Sequence, residues 1–285
     1  MGEIFLATEA LAAGAVTRHG LQTRFRKLHQ NVYAPIDLEL TAHHRAISAW
    51  LWSRRSATLS GHSAAAVLGC KWLPEDAPAE LSRVRSPAPP GIVIHRGAIA
   101  ADELTTIGEM RCTTAPRAAY DLGRRLPLET AVIRIDALLN ATGGTVAEVA
   151  VIAERYSGAR GIRKLRRALT YVDPGAESPQ ETRLRLLILS SGLPRPETQI
   201  AVADQWGLVR RRIDLGWPAW RIGVEYDGQH HWTDPAQHAE DIERLEFLAA
   251  RGWTIIRVSR NQLRYRPGEV ITRIERALQI ASPPG

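Results

Sequence analysis

Hydrophobic and polar positions repeat along the chain with helical or strand periods, and Gly and Pro mark the breaks. The most regular pattern follows Asp173-Pro174-Gly175 and predicts the order helix, strand, strand, strand, helix, strand, helix. Ser178-Pro179-Gln180-Glu181 begins the first helix, with serine at the N-cap, proline at the first position and glutamate at the third. Gly192 is predicted to end this helix.

The second helix of this region is predicted over residues 234–251, and Gly252 follows it. Its helical period predicts a buried face that consists of Ile242, Leu245, Leu248 and Ala249. Residues 253–258 are predicted to form a buried strand, and residues 267–280 a last helix.

Two predicted strands, residues 208–215 and 221–226, are joined by the turn Trp217-Pro218-Ala219-Trp220 and predict a hairpin. With a side-chain period of two, Glu225 and Asp227 lie on one face of the second strand. The other face carries Ile222, Val224 and Tyr226. The hairpin then places Asp214 opposite Glu225.

Asp214 and Glu225 would repel each other and raise each other's pKa, so the pair needs a cation, an arginine or a shared proton. A hard divalent ion such as Mg²⁺, or Mn²⁺ in its place, suits carboxylate oxygens. The pattern therefore predicts a metal-dependent nuclease site. The alternative is a surface hairpin whose acids form ion pairs with Arg210, Arg212 or Arg221.

The first 36 residues have the pattern of a small helix-turn-helix unit. Residues 8–13 are predicted as one helix, Thr17 caps a second, and residues 32–34 form a strand. We predict that the second helix is basic and contacts a DNA backbone through Arg18, Arg24, Arg26 and Lys27. A solvated basic helix is the alternative.

Residues 38–140 predict a mixed α/β region. Helices are expected over residues 40–52, 60–68, 115–124 and 128–139, and strands over 57–59 and 92–95. The region contains His43, His44, His62 and His95. Because none of them has a cysteine or an acid at metal-ligand spacing, capping or surface roles are expected.

Residues 144–170 have a helical pattern that is broken at Gly158 and Gly161. We expect one face of this segment to contact DNA phosphates through Arg160, Arg163, Lys164 and Arg167. A solvated charged face is the alternative.

Composition agrees with a nucleic-acid partner. The formal charge is +7, and lysine occurs only at Lys27, Lys71 and Lys164, so arginine carries almost all of the positive charge. Arginine pairs well with phosphate, although an Ala- and Arg-rich chain can also reflect a GC-rich coding sequence. Cys70 and Cys112 are too few for a disulfide framework, which favours a reducing cytoplasm. The N-terminus lacks a signal-peptide pattern, and no apolar stretch is long enough to span a membrane.

The order of elements after residue 172, with an acid on the first helix and a Glu-x-acid element on a strand, resembles the PD-(D/E)XK nuclease superfamily. It is most similar to the domain family related to very-short-patch-repair endonucleases. The matching stretches are Glu177-Ser178-Pro179-Gln180-Glu181-Thr182-Arg183, Gly192-Leu193-Pro194, Arg212-Ile213-Asp214, Glu225-Tyr226-Asp227-Gly228-Gln229-His230-His231, Asp241-Ile242-Glu243-Arg244 and Arg251-Gly252-Trp253-Thr254-Ile255-Ile256-Arg257-Val258.

The earlier part of the chain resembles the AbiEi-type antitoxins of abortive-infection systems, in Gln30-Asn31-Val32-Tyr33-Ala34 and Thr114-Ala115-Pro116-Arg117-Ala118-Ala119-Tyr120-Asp121-Leu122. The two resemblances together imply an α/β protein with three domains. These are a winged-helix-like DNA-binding segment over residues 1–37, an AbiEi-like α/β and helical domain over 38–171, and a nuclease-like domain with a restriction-endonuclease-like αβββαβ core over 172–285.

The nuclease resemblance implies roles for three acids. Asp214 corresponds to the central metal-binding aspartate, Glu225 to the first acid of the superfamily's Glu-x-Lys element, and Glu181 to the helical acid that completes the metal site. Glu181 also has a local explanation, because Ser178 would form a capping box with it.

Asp227 stands where the superfamily has the lysine that orients the attacking water, and no lysine follows Lys164. The candidate replacements are Gln229, His231 and Arg244, or a second cation bound with help from Asp227. We count Asp227, His231 and Arg244 among the catalytic candidates with the three acids. His231 has the alternative of a loop residue that packs on Trp232.

The leading hypothesis is a Mg²⁺-dependent DNA endonuclease of DNA repair or phage defence. The alternatives are a non-catalytic, DNA-binding regulator of antitoxin type with a degenerate nuclease domain, and a metal-free structural domain whose acids pair with arginines. DNA is the expected partner and no membrane partner is expected. A second copy of the chain and a toxin protein are further candidate partners.

Overall fold

The computed structural model describes residues 3–83, 87–228 and 235–281, with the side chains of residues 235–239 left out of the description. The chain divides into two compact units, Met1–Pro174 and Gly175–Gly285. The division into three domains, with boundaries after residues 37 and 171, stays a prediction.

The first unit begins with a small three-stranded sheet in the order β1-β3-β2, in which β3 pairs antiparallel with both neighbours. Its elements in chain order are β1 (Phe5–Leu6), α1 (Ala7–Ala12), α2 (Arg18–Thr23), β2 (Phe25–His29) and β3 (Val32–Pro35).

The expected cap of α2 is present, since the Thr17 hydroxyl accepts a hydrogen bond from the backbone N–H of Gly20 at 3.0 Å. The expectation of a basic second helix is wrong. The helix ends at Thr23, and Arg26 and Lys27 lie on β2, which pairs with β3. Arg24 follows the helix as its C-cap residue, so only Arg18 of the four basic residues lies within the helix.

The rest of the first unit contains a five-stranded mixed sheet in the order β6-β5-β4-β8-β7. Its elements in chain order are α3 (Ala42–Trp52), β4 (Thr58–Leu59), α4 (Gly61–Val67), β5 (Ala79–Ser82), β6 (Ile92–His95), β7 (Leu104–Ile107), β8 (Met110–Thr113), α5 (Ala115–Arg125), α6 (Leu128–Thr142), α7 (Val146–Arg155) and α8 (Ile162–Leu169). All four predicted helices and both predicted strands of this region are confirmed. Strands β5, β7 and β8 were not predicted.

The second unit contains a four-stranded sheet in the order β12-β11-β10-β9. Its elements in chain order are α9 (Pro179–Ser190), β9 (Glu197–Ala203), β10 (Val209–Trp217), β11 (Ile222–Asp227), α10 (Pro235–Ala249), β12 (Thr254–Ser259), α11 (Arg260–Tyr265) and α12 (Pro267–Ile280). The order α9-β9-β10-β11-α10-β12 is the predicted αβββαβ order. Helix α10 connects β11 to β12, which pair in parallel and therefore need such a crossover.

Helices cover both faces of this sheet. Helices α9 and α12 contribute Leu184, Ile188, Val270 and Ile274 to a core that also contains Leu215, Val224, Ile256 and Val258. On the other face, Leu248 of α10 packs with Val202 and Ile213. The expected buried face of α10 is partly wrong, because Ile242 is 45% exposed and Ala249 is exposed, whereas Phe247 packs against this second core.

Membrane-spanning character was tested over the described residues. No single helix there is both long and apolar enough to cross a bilayer. Helices α6 and α7 meet the test only when taken together, and they are bent by 118° with respect to each other.

Candidate active site

The site forms where β10 and β11 part. Their antiparallel pairing runs from Trp217↔Ile222 to Leu215↔Val224, so the next step of the register places Asp214 opposite Glu225, as predicted. Instead of a further backbone bond, Asp214 Oδ2 accepts the backbone N–H of Tyr226 at 3.0 Å. This bond holds the aspartate between the two strands.

Strand alternation also breaks at Asp214. Ile213 faces the core under α10, whereas Leu215 faces the core under α9 and α12, although a regular strand would place both on one face. On β9, Gln199 lies opposite Asp214 between the paired positions Ile200 and Thr198, and it has a left-handed φ of 49°. The local twist of both strands therefore turns Asp214 away from the ordinary in-and-out pattern.

Glu181 is placed by the first turn of α9. The Ser178 hydroxyl accepts from the backbone N–H of Glu181 at 3.2 Å, so the predicted serine cap is confirmed. The reciprocal half of the capping box is different, because Glu181 Oε2 accepts from the backbone N–H of Glu177 at 2.9 Å. The same oxygen also accepts from Gln199 Nε2 at 3.3 Å, so Gln199 links Glu181 to the twisted part of β9.

All three predicted acids have raised pKa values. Burial is the largest cause for Glu181, and the nearby charge of Asp214 raises its pKa further, against the Glu177 and Ser178 hydrogen bonds. Burial also raises the pKa of Asp214, against the Tyr226 hydrogen bond and the charge of Arg244. For Glu225, burial is again the main cause, Asp214 adds to it, and the pKa rises to about 7 despite Arg244.

Two arginines lie beside these acids. Arg244 Nη2 donates to Glu225 Oε1 at 2.7 Å and to the backbone carbonyl of Arg212 at 3.1 Å. Arg257, which is paired with Glu225 across β11 and β12, lies 2.6 Å from Asp241 and 3.0 Å from Asp227. Asp227, which the sequence resemblance aligns with a lysine, is therefore part of an ion pair.

The three predicted metal ligands form one electrostatic group but not a coordinating one. Over the described residues, no group of three or more His, Cys, Asp or Glu side chains is arranged to hold a metal ion. His231 and Gln229, predicted as catalytic or replacement candidates, lie outside the described residues. Sequence reasoning did not identify Gln199, Arg257 or Asp241 as residues of the site. Their contacts form only when β9, β12 and α10 pack around the β10–β11 hairpin.

The predicted DNA-binding residues lie in the first unit. Arg18, Arg24, Arg26 and Lys27 are exposed, although Arg26 also donates to the backbone carbonyl of Leu38. The expectation that Arg160 shares a helical face with the other three basic residues of its segment is wrong, because α8 begins at Ile162. A side chain at Gly161 would overlap the carbonyl oxygen of Arg124, so this glycine allows a tight turn before the helix.

Four exposed basic residues lie on α8, opposite its buried positions Ile162, Leu165 and Ala168. They are Arg163, Lys164, Arg166 and Arg167. Arg166 was not predicted. Among the described residues, none of the four has an acidic partner within ion-pair distance.

Two histidines of the first unit contradict the expected capping or surface roles. His62 Nδ1 and His95 Nε2 each lie 2.6 Å from an oxygen of the buried Glu80, far away in sequence from either of them. His44 does cap α3, since it forms a capping box with Thr41.

Comparison with known proteins bears on the second unit most directly. Residues 196–278 match the family REase_MTES_1575, which is restriction-endonuclease-like. Two relatives from Mycobacterium tuberculosis, "Uncharacterized protein MT2308" of strain CDC 1551 and "Uncharacterized protein Rv2248" of strain H37Rv, are each 32% identical over 176 residues. That stretch is 61% of this chain, and the chain spans 65% of the length of these relatives.

The stretch shared with the relatives is longer than the whole second unit, so the similarity extends into the first unit. No solved structure matches the chain. The family match supports a restriction-endonuclease-like C-terminal domain, and the αβββαβ order of its elements agrees with it.

Proposed function

We propose that the second unit is a DNA endonuclease that hydrolyses phosphodiester bonds with a divalent cation, Mg²⁺ or Mn²⁺. The observation that carries this proposal is the group of three acids with raised pKa values inside a restriction-endonuclease-like domain: the buried Glu181 and Glu225 and the half-buried Asp214. Buried acids with perturbed pKa values are typical of functional sites.

The donor chemistry fits a hard cation when only two carboxylates bind it directly. Mg²⁺ usually keeps several waters and binds one or two carboxylates together with substrate phosphate. Asp214 and Glu225 lie opposite each other, and Glu225 Oε1 alone is engaged by Arg244. We assign these two as the direct ligands and Glu181, held by Glu177 and Gln199, as the acid that orients a water.

A bound cation would supply a hydroxide-like nucleophile and offset charge on the phosphate. The chain's own residues would do the rest. Tyr226 fixes one oxygen of Asp214, which leaves the other for binding. Arg244 neutralises part of the charge of Glu225 and is the candidate for phosphate contact.

Arg257 provides the positive charge beside position 227 that the missing lysine would provide. Its guanidinium is held by Asp227 and Asp241, so we assign it to electrostatic stabilisation and not to proton transfer, because arginine stays protonated. His231 remains a proposed acid–base candidate.

The first unit is proposed to add DNA affinity. We propose that its short strands and helices over residues 1–37 act as a winged-helix-like, AbiEi-related segment, with Arg18, Arg24, Arg26 and Lys27 near the DNA backbone. Cytoplasmic location, self-association and a toxin partner are further parts of this proposal.

One observation favours a second candidate function. The Arg244–Glu225 ion pair and the hydrogen bonds to Glu181 already compensate much of the negative charge of the three acids without a metal. A non-catalytic, DNA-binding regulator of antitoxin type would retain such a compensated group.

The test is cleavage of supercoiled and single-stranded DNA by the full chain with Mg²⁺ or Mn²⁺. We expect cleavage by the wild type and a loss of at least about 100-fold in Asp214→Asn, because a lost ligand costs at least as much as a lost second-layer contact. Glu243→Gln on the exposed side of α10 is the control and should cleave normally.

Cleavage that survives in Asp214→Asn would rule out the proposed site. A wild type that binds DNA without cleaving it under any of these conditions would favour the regulator.

A further inference from the structure

The tip of the β9–β10 hairpin exposes an unusual amount of apolar surface. Trp206 is 78% exposed, and its neighbours Leu208 and Val209 are 56% and 50% exposed. Adjacent exposed apolar side chains mark a binding surface, whereas single exposed ones are common.

The tip is also rigidly built. The carboxylate of Asp204 accepts hydrogen bonds from the backbone N–H groups of Trp206 at 2.9 Å and Leu208 at 3.0 Å, and from Arg210 Nε at 2.8 Å. Gly207 supplies the left-handed φ of 81° that the turn requires. The turn therefore holds the backbone at Trp206 in place and presents its side chain to solvent.

Arginines connect the tip to the candidate active site. Arg210 and Arg212 are exposed on β10, and the Arg212 side chain has no ion-pair partner among the described residues. Strand geometry places Asp214 about 17 Å beyond Val209, which is within the span of a few nucleotides. A nucleic-acid strand that enters the site can therefore reach the hairpin.

We infer that this hairpin binds single-stranded nucleic acid, with Trp206 stacked on an unpaired base and Arg210 and Arg212 at the phosphates. The inference rests on the proposed function, since it assumes a nucleic-acid ligand for the second unit. Aromatic stacking combined with positive charge is the usual way in which proteins bind single strands without reading their sequence. The two arginines favour nucleic acid as the occupant, because an apolar protein partner would not need them.

The test is fluorescence-anisotropy binding of the full chain in EDTA, so that cleavage is not required. Three labelled ligands of equal length are compared: a single-stranded oligonucleotide, the corresponding blunt duplex and an abasic single strand that keeps only sugar and phosphate. The variants are Trp206→Ala, Arg212→Gln and the control Trp72→Ala, which removes another exposed tryptophan, 54% exposed, from the first unit.

Trp206→Ala should weaken binding of the single strand about tenfold or more and leave the abasic strand and the duplex nearly unchanged. Arg212→Gln should weaken all three ligands and lower the salt dependence by about one phosphate contact. Trp72→Ala should change none of them.

Equal loss for the abasic strand, or no loss in Trp206→Ala, would overturn the stacking role even if the wild type cleaves DNA. A Trp206→Ala variant that changes only self-association would overturn it in favour of an interface between copies. Failure of the proposed function is distinguished by the Asp214→Asn cleavage test, which leaves the residues of the hairpin tip unchanged.

Discussion

Each unit contains a group of buried or half-buried acids, and the two groups differ in how many arginine and histidine side chains contact them. In the first unit, Glu80, Glu103 and Asp121 are buried and surrounded by cations. Asp121 alone receives Arg124 at 2.9 Å, Arg125 at 2.8 Å and Arg117 at 3.2 Å. Among the described residues of the second unit, Glu181, Asp214 and Glu225 share one close arginine contact, from Arg244 to Glu225.

The pKa directions record this difference. Burial alone would raise the pKa of Glu80, but the hydrogen bonds from His62 and His95 outweigh it and hold the pKa far below its ordinary value. For Glu225 the burial effect wins, and the pKa rises to about 7. Similar burial therefore has opposite consequences, and the hydrogen bonds to the carboxylate decide which one occurs.

The comparison separates stabilising charge from charge that is available for binding. A buried acid with two or three cationic partners is part of the fold, since removal of the acid strands its partners. In a buried acid with a raised pKa the charged form is destabilised, and binding of a proton or a cation relieves this. This difference supports the proposed site in the second unit and a structural role for the charge network of the first unit.

The sharpest way to break this comparison is to neutralise one acid in each unit. Asp121→Asn should destabilise the first unit by about 3–5 kcal/mol, because it weakens contacts with three buried or half-buried arginines. Asp214→Asn should change stability by less than about 1 kcal/mol or increase it, because it removes a charge whose pKa is already raised. Amide hydrogen exchange, followed separately over α5 and over β10–β11, measures both.

Equal destabilisation by the two substitutions would contradict the distinction. It would mean that the acids of the second unit are as well compensated as those of the first.

A second way is to change pH without metal, since the two groups should respond with opposite sign. The folded pKa of Glu225 lies above its unfolded value of 4.5. Its contribution to the stability of the second unit is therefore complete below pH 4.5 and is lost as the pH rises to about 7. The loss is about 3 kcal/mol at the most. The folded pKa of Glu80 is lowered, so its contribution is complete above pH 4.5 and is lost on acidification below that value.

Hydrogen exchange of the two units from pH 2 to pH 8 in EDTA checks this, with Glu225→Gln as the matched variant. The variant should remove the loss between pH 4.5 and pH 7 from the second unit only. Addition of Mg²⁺ above pH 7 should restore protection in the wild type, by an amount set by the ratio of metal concentration to Kd. A second unit that gains protection as pH rises without metal would contradict the raised pKa.

The same contrast explains what the sequence could and could not predict. Local sequence signals predicted the elements of the second unit. Ser178 caps α9, and the period of two on β11 separates Glu225 from Val224 and Tyr226. Because the antiparallel hairpin is local, its register also brought Asp214 opposite Glu225.

Partners that come from distant elements were not predictable. Arg257 reaches Glu225 only through the parallel register that the α10 crossover sets, and nothing in the local sequence specifies that register. His62 of α4 and His95 of β6 meet at Glu80, which lies on β5, a strand that the sequence pattern did not predict. Burial on α10 was partly misplaced, because a 15-residue helix with a broad apolar stripe fits more than one rotation.

The smallest expected effect concerns the surface of the first unit. If its buried charges are structural, its contribution to DNA binding must come from exposed cations such as Arg163 and Arg167 on α8. Each phosphate contact releases counterions, so Arg163→Gln or Arg167→Gln should lower the slope of log affinity against log salt by about one unit. Arg276→Gln, at an exposed position of α12 in the second unit, is the matched control and should leave the slope unchanged.

Duplex binding measured from low to moderate salt gives the slopes, and single-turnover cleavage at saturating protein should stay the same in all three variants. A change in the cleavage rate with an unchanged salt slope would instead connect α8 to the chemistry and remove the division of roles between the two units.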